Sequence, residues 1–123
     1  MAIVIDHVSL AVRDLPANQG FYEQALAPLG FTVLYEQEDF VAFGQPGNDD
    51  FALHRAGTNT GGAHVAFVAS ARNTVDRFWE AALAAGGRPR REPAIHPEYH
   101  PGYYAAFVYD PEGNNIEAVL HEK

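Results

Sequence analysis

The chain has 123 residues, of which 47% are hydrophobic and 20% are charged, with a formal net charge of −8 and no cysteine. This length predicts one domain, and the apolar content excludes an intrinsically disordered chain. The lack of cysteine excludes disulfides and thiolate metal sites, and the negative charge disfavours nucleic acid as a partner. No apolar run approaches the roughly 18 residues of a membrane span and the start does not resemble a signal peptide, so we expect no membrane partner and a cytoplasmic location.

The first half of the chain predicts one helix among four strands. IDHVSLAV is rich in β-branched residues and predicts the first strand. Asp14 is a suitable helix N-cap, and Pro16 fits the first turn. The helix should end near Pro28, before Gly30. FTVLYE, DFVAFG and DFALHR then predict three short strands separated by turn residues.

The second half predicts the same order of elements. GAHVAFVA is the strand, Ser70 is the expected helix cap, and the helix runs to about Ala85. RPRREP, GYYAAFVYD and NNIEAVL are the remaining strands. Asp110 and Glu112 lie in the turn sequence DPEGN, which we assign to chain reversal. The predicted fold class is therefore α+β, with strand-helix-strand-strand-strand occurring twice.

The two halves also correspond residue by residue. A shift of 57 positions places residues 7–30 on residues 64–87 with eight identities in 24 and no gap. His7 then falls on His64, and FYEQALAPLG falls on FWEAALAAGG. We interpret this as an internal duplication within a single domain, 1–123, with one module at about 1–58 and the other at about 61–123. Further along, Ala52 falls opposite Glu117, so only the second module has a carboxylate at that strand position.

Because side chains alternate along a strand, the candidate metal-binding residues fall on the helix-free faces of the sheets. Bulky apolar residues should pack under the helices, which leaves His7 and Ser9, and likewise His64, on the helix-free faces among small residues. Glu117 belongs to a strand that should lie beside one of these histidines. Two histidines and one carboxylate are a ligand set for Fe, Mn, Ni, Co or Zn with open coordination positions. A bound cation would also explain a carboxylate in an apolar strand.

Simpler interpretations stay open. A lone histidine at a strand start is often structural, and Glu117 could instead pair with Arg88 or Arg90. The proline-rich segment HPEYHPG predicts a stiff rim rather than a helix, and Tyr99 and His100 are its candidates for acid-base catalysis. We expect His54 to lie off the face of Ala52, and we give it little weight.

Three stretches carry a family resemblance: DHVSLAVRDLPANQGFYEQALAPLGF, HVAF and FVYDPEGNNIEAV. Over essentially its whole length, the chain resembles the vicinal oxygen chelate superfamily, the glyoxalase, bleomycin-resistance and extradiol-dioxygenase group. It is most similar to small single-domain glyoxalase-like proteins that contain a YHPGYYAAF segment. The resemblance implies two tandem βαβββ modules that curl into an incomplete barrel around a metal-binding cavity. It also implies a homodimer.

The family's metal positions fall on His7, His64 and Glu117. Its fourth position, a glutamate in glyoxalase I, falls on Ala52, which argues against lactoylglutathione lyase activity. Ser9, Ala52, Tyr103 and Phe107 are the candidate substrate contacts. The resemblance implies a divalent-metal enzyme acting on a small oxygen-bearing substrate by lyase, isomerase or dioxygenase chemistry. The alternative is a metal-free drug- or metabolite-binding protein of the bleomycin-resistance type.

Overall fold

The computed structural model describes residues 4–57 and 61–122. The first module contains strand β1 (Val8–Val12), helix α1 (Leu15–Leu26), a short 3₁₀ helix (Ala27–Leu29), and strands β2 (Thr32–Gln37), β3 (Phe40–Gln45) and β4 (Asn48–Arg55). The second contains β5 (His64–Val68), α2 (Arg72–Ala84), β6 (Arg88–Ile95), β7 (Tyr103–Tyr109) and β8 (Asn115–His121). Residues 58–60, at the expected module boundary, lie outside the described residues.

Each module forms its own four-stranded sheet. The strand orders are β1-β4-β3-β2 and β5-β8-β7-β6. In both, the first strand of the module pairs in parallel with the last, and the other neighbours are antiparallel. The α+β class and the two tandem βαβββ modules are confirmed. The sheets stay open, as expected for an incomplete barrel.

The pairing register confirms the internal repeat. Ser9 lies opposite Ala52 in the first sheet, and Ala66 lies opposite Glu117 in the second. Ser9 and Ala66 are the same 57 positions apart as the two histidines. Ala52 and Glu117 therefore occupy equivalent places in the two sheets, as the sequence predicted.

The helix ends follow local chemistry, with one exception. The Asp14 side chain accepts a hydrogen bond from the Ala17 amide at 3.1 Å, and the 3₁₀ helix ends at Gly30 with a φ of 87°. The predicted cap of α2 was wrong: Ala71, not Ser70, is the N-cap, and no side chain bonds to that end. Among the described residues, no helix has the length and apolar character needed to cross a bilayer.

Both helices belong to one core. Helix α1 packs against α2, and the bulky faces of both sheets complete the same buried cluster. The Phe67 ring of the second module contacts Phe51 and Phe31 of the first, at centroid distances of 5.3 and 5.6 Å. The opposite, helix-free face of each sheet therefore lies outside the shared core.

A buried carboxylate connects the modules at the DPEGN turn. Asp110 accepts hydrogen bonds from the backbone amides of Glu112 and Asn114, which confirms its turn role. It also accepts a 2.5 Å bond from the hydroxyl of Tyr22 on α1. Burial, together with the charge of Asp110 and this bond, raises the pKa of Tyr22 well above its usual value. One side chain thus fixes both the turn before β8 and the contact between modules.

We predict that Tyr22→Phe lowers the free energy of unfolding by about 1.5–3 kcal/mol, since it removes a buried bond to a charged acceptor. Tyr104→Phe is the matched control, because its hydroxyl donates to Asp76 at a half-buried position. That variant should lose less than about 1 kcal/mol. Urea unfolding of the three proteins measures the difference, and equal losses would contradict the role given to Asp110.

Candidate functional site

Glu117 is the buried centre of the candidate site. Its side chain is 0% exposed and lies on β8, between β5 and β7. One carboxylate oxygen, Oε1, lies 2.7 Å from Nε2 of His64. The other, Oε2, accepts a hydrogen bond from the hydroxyl of Tyr103. Both partners come from the strands on either side, so the sheet itself brings the three groups together.

His64 is the solvent-exposed partner of the buried Glu117. Its side chain is 51% exposed, whereas Glu117 is covered. The burial pattern of β5 alternates as predicted, with His64, Ala66 and Val68 exposed and the residues between them packed towards the core. A ligand in solution can therefore contact the His64 imidazole, which is hydrogen-bonded to the buried carboxylate.

Tyr103 holds the second oxygen of Glu117. Burial first, then the hydrogen bond to Glu117 and its negative charge, raise the pKa of Tyr103. The phenol therefore stays protonated and donates throughout the neutral range. This is the arrangement by which an outer hydrogen bond orients a metal-binding carboxylate.

His7 is not brought to this centre within one chain. It lies just before β1 with a 59% exposed side chain, and its Nδ1 lies 2.8 Å from Oδ1 of Asp6. That hydrogen bond, followed by the charges of Asp6 and Asp49, raises the pKa of His7. In the two described ranges, no three or more His, Asp or Glu side chains are grouped closely enough to hold a metal ion.

The donor chemistry of these residues nevertheless fits a metal. The His64 nitrogen and the Glu117 oxygen face each other across 2.7 Å, so one cation could replace the proton that they share. The Asp6 carboxylate next to Nδ1 of His7 favours the tautomer whose Nε2 is an unprotonated ligand. Two of the three expected ligands, His64 and Glu117, are therefore adjacent. The third, His7, has a tautomer suited to metal binding but lies elsewhere in the same chain.

The first sheet presents a different polar pair. Ser9 Oγ lies 2.7 Å from Nδ1 of His54, beside the buried Ala52. The expectation that His54 lies off the face of Ala52 was wrong, because residues two apart on a strand share a face. The period of the strand alone could have identified His54.

The segment before β7 forms a turn rather than a helix, as predicted. Tyr99 is 54% exposed, and its ring lies 4.7 Å from that of Tyr103. His100 packs edge-on against Tyr103 at 5.4 Å and lies 2.9 Å from His121, Nε2 to Nδ1. Tyr103 therefore lies between both catalytic candidates and Glu117.

The Phe107 ring packs against several residues beside the candidate site, and sequence reasoning anticipated these contacts only in part. Its ring, 1% exposed, is flanked by His64 at 6.2 Å and by the buried His96 at 5.4 Å. The guanidinium of Arg90 lies over the same ring, so the pairing of Glu117 with Arg88 or Arg90 is not adopted. No sequence signal distinguished His96 from His100, the other histidine of the same segment.

A separate apolar groove lies where the two sheet edges approach each other. It encloses about 490 Å³ and is lined by the segment before β1, by Phe31 and by strand β5. Val4, Ile5 and Val68 around this edge are the most exposed large hydrophobic side chains among the described residues, at 80%, 81% and 76%. Such a patch at an open sheet edge is typical of a protein interface.

The raised pKa of Tyr103 predicts a loss of stability in alkali. The unfolded chain releases this proton near pH 10, whereas the folded chain retains it, so the contribution is complete below that pH and is lost as pH rises towards the folded pKa. In urea unfolding from about pH 9 to about pH 11, Tyr103→Phe should flatten the decline by roughly 1 kcal/mol per pH unit. Glu117→Gln should flatten it partly, because burial of the phenol remains. An unchanged decline in both variants would contradict the contact.

Comparison with known proteins gives a family and a fold for the chain. The family model of the Glyoxalase/Bleomycin resistance protein/Dioxygenase superfamily matches residues 4–118. A glyoxalase/bleomycin resistance protein from Albidiferax ferrireducens T118 is 25% identical, with a TM-score of 0.83 over 94% of this chain and 97% of that chain. No curated protein matches.

Two further solved structures show the same fold at lower identity. A glyoxalase/bleomycin resistance protein/dioxygenase family enzyme from Burkholderia phytofirmans PsJN is 21% identical, with a TM-score of 0.75 over 96% of this chain and 98% of that chain. A glyoxalase-related enzyme from Fulvimarina pelagi is 20% identical, with a TM-score of 0.74 over 95% and 87% of the two chains. With the match across both modules, the chain belongs to the Glyoxalase/Bleomycin resistance protein/Dioxygenase superfamily.

Proposed function

We propose that the protein is a divalent-metal-dependent enzyme that acts on a small substrate with two neighbouring oxygen atoms. The observation that carries this proposal is the fully buried Glu117, which faces His64 across 2.7 Å on a helix-free face. The reaction belongs to the lyase, isomerase or dioxygenase type found in this superfamily. Fe, Mn, Ni, Co and Zn all suit two imidazoles and one carboxylate.

Each residue has a defined task in this proposal. His64 and Glu117 hold the metal, and Tyr103 keeps the second oxygen of Glu117 occupied so that the carboxylate keeps its orientation. The metal supplies Lewis-acid polarisation of the two substrate oxygens. Tyr99 and His100, which pack on Tyr103, are the side chains placed to exchange a proton with bound substrate.

His7 of a second copy completes the ligand set in this proposal. The helix-free faces lie outside the shared core, so a partner can cover them. Strands β1 and β5 are both edge strands, and the exposed Val4, Ile5 and Val68 lie beside them. A twofold axis would place β1 of each copy next to β5 of the other, and the contact would occur twice. Ser9 and Ala52 of one copy would then face Tyr103 and Phe107 of the other.

One observation favours the metal-free alternative. Both oxygens of Glu117 already have partners, His64 and Tyr103, so the buried carboxylate is satisfied without a cation. A binding protein of the bleomycin-resistance type would use the same face for a drug or metabolite. Metal loading separates the two functions. The cytoplasmic location and the absence of nucleic-acid partners stay predictions.

We predict that wild type binds about one metal per chain and that neither His7→Ala nor Glu117→Gln does so at limiting metal. A metal at about 100 times its dissociation constant should stabilise wild type by roughly 2.7 kcal/mol. If the site uses two chains, unfolding and refolding an equal mixture of the variants should restore about a quarter of the wild-type metal, because half of the dimers are mixed and each has one intact site. Elemental analysis of the purified dimers measures this recovery.

The outcomes distinguish the parts of the proposal. Metal in wild type without recovery in the mixture would place all three ligands in one chain and contradict the shared site. Wild type that neither binds nor responds to any of the five metals would contradict the metal function and favour the metal-free binder. Refolding each variant alone is the control, and neither should recover metal.

We predict that Val68→Asp converts the dimer to a folded monomer, because a charge would be buried against the partner's apolar edge. Gln24→Asp, which adds the same charge on the exposed surface of α1, should leave the dimer intact. Light scattering coupled to size-exclusion chromatography gives the mass, and circular dichroism confirms folding. A dimeric Val68→Asp protein would place the interface elsewhere.

A further inference from the structure

Strand β6 contains an irregularity beside the candidate site. Its register passes from Pro89 opposite Val108 to Arg91 opposite Phe107, so Arg90 is an extra residue in the strand. In a regular strand, Arg90 and Arg91 would point to opposite faces. The bulge instead places both guanidinium groups over the Phe107 ring, at 5.3 and 5.7 Å from its centroid.

Arg90 and Arg91 concentrate positive charge locally in an acidic protein. The chain has eight Lys and Arg against 16 Asp and Glu, and three of the eight basic residues are Arg88, Arg90 and Arg91. Most other described arginines are bound to carboxylates, as Arg72 is to Glu122. Within residues 4–57 and 61–122, Arg90 has its aromatic contact but no acidic partner. A guanidinium stacked on a ring keeps its N–H edge available for an anion.

The contact that Arg91 already makes indicates which anion the two arginines would bind. Its Nη2 lies 3.2 Å from a carboxylate oxygen of Glu98, in the segment that also carries Tyr99 and His100. Glu98 is about half exposed, so this carboxylate can be displaced without leaving a buried charge. The planar fork of an arginine matches a carboxylate in two parallel hydrogen bonds.

Phe107 connects the arginines to the candidate metal ligands. The same ring lies 6.2 Å from the ring of His64, which contacts Glu117. The arginines and His64 are therefore separated by about the width of one aromatic side chain. A molecule that contacts both the exposed arginines and the exposed His64 imidazole therefore has to span only the distance across this covered ring.

We infer that Arg90 and Arg91 bind a carboxylate of the substrate, so that the substrate class is a small carboxylic acid whose vicinal oxygens lie at the other end. This inference rests on the proposed function for the oxygens, but the carboxylate site itself does not need the metal. Arg90 is the principal donor, and Arg91 becomes available when Glu98 is displaced. The site thus selects an anion in a protein whose overall charge repels anions.

Benzoate and benzamide test this inference, since they share a shape and differ by one charge. Titration of metal-free full-length protein, followed by ¹H–¹⁵N spectra of the arginine Nε–Hε groups, should show benzoate binding at least about tenfold more tightly than benzamide. The double variant Arg90→Gln with Arg91→Gln should lose this preference. Arg77→Gln, which removes one positive charge from the exposed surface of α2, should keep it. Glu98→Gln should bind benzoate more tightly than wild type.

Several results would overturn the inference. These are equal affinity for the two probes, an unchanged preference in the double variant, or an equal loss in Arg77→Gln, which would indicate overall charge instead. Metal binding measured on separate, metal-loaded aliquots of the same protein preparations separates this test from the proposed function. Metal binding without a benzoate preference would refute only the carboxylate site. A benzoate preference without metal binding would refute only the metal function.

Discussion

The packing of α1 against α2 is the constraint on which the rest of the structure depends. Both helices and the bulky faces of both sheets enter one core, and aromatic contacts such as Phe51 with Phe67 join the modules there. Because side chains alternate along a strand, His64, Glu117 and Ser9 must then lie on faces outside that core. One chain therefore holds two separate groups of polar side chains, and the turn at Asp110, bonded to Tyr22, fixes their relative positions.

The chemistry of the site follows from the cost of burying Glu117. An unpaired carboxylate in that position would be strongly destabilising, and the neighbouring strands supply His64 and Tyr103 as its partners. The groups that offset the cost of burying Glu117 are thus the groups proposed to bind the metal and to orient its carboxylate ligand. Such overlap of stabilising and functional roles limits which substitutions the centre can accept.

Much of this arrangement was predictable because it is local or periodic. The repeat, the strand faces and the position of the Glu117 strand beside a histidine follow from spacing, and the register of Ala52 agrees with it. Features set by tertiary packing were not predictable. Strand alternation does not reveal that His7 lies away from His64 within one chain, and a one-residue bulge at Arg90 leaves no trace in a pattern of alternating residues. The start of α2 differed because the chain turns at Ala71, one residue after the best capping side chain.

The small side chain of Ala52 has a consequence for charge balance. It occupies the position equivalent to Glu117, so in the proposed site the first module would contribute an imidazole but no second carboxylate. A dication held by two neutral imidazoles and one carboxylate would retain one unit of uncompensated positive charge. A glutamate in place of Ala52 would cancel that charge. With alanine at this position, the proposed metal would depend on the bound ligand for its neutralisation, and a ligand with one negative charge would give a neutral complex.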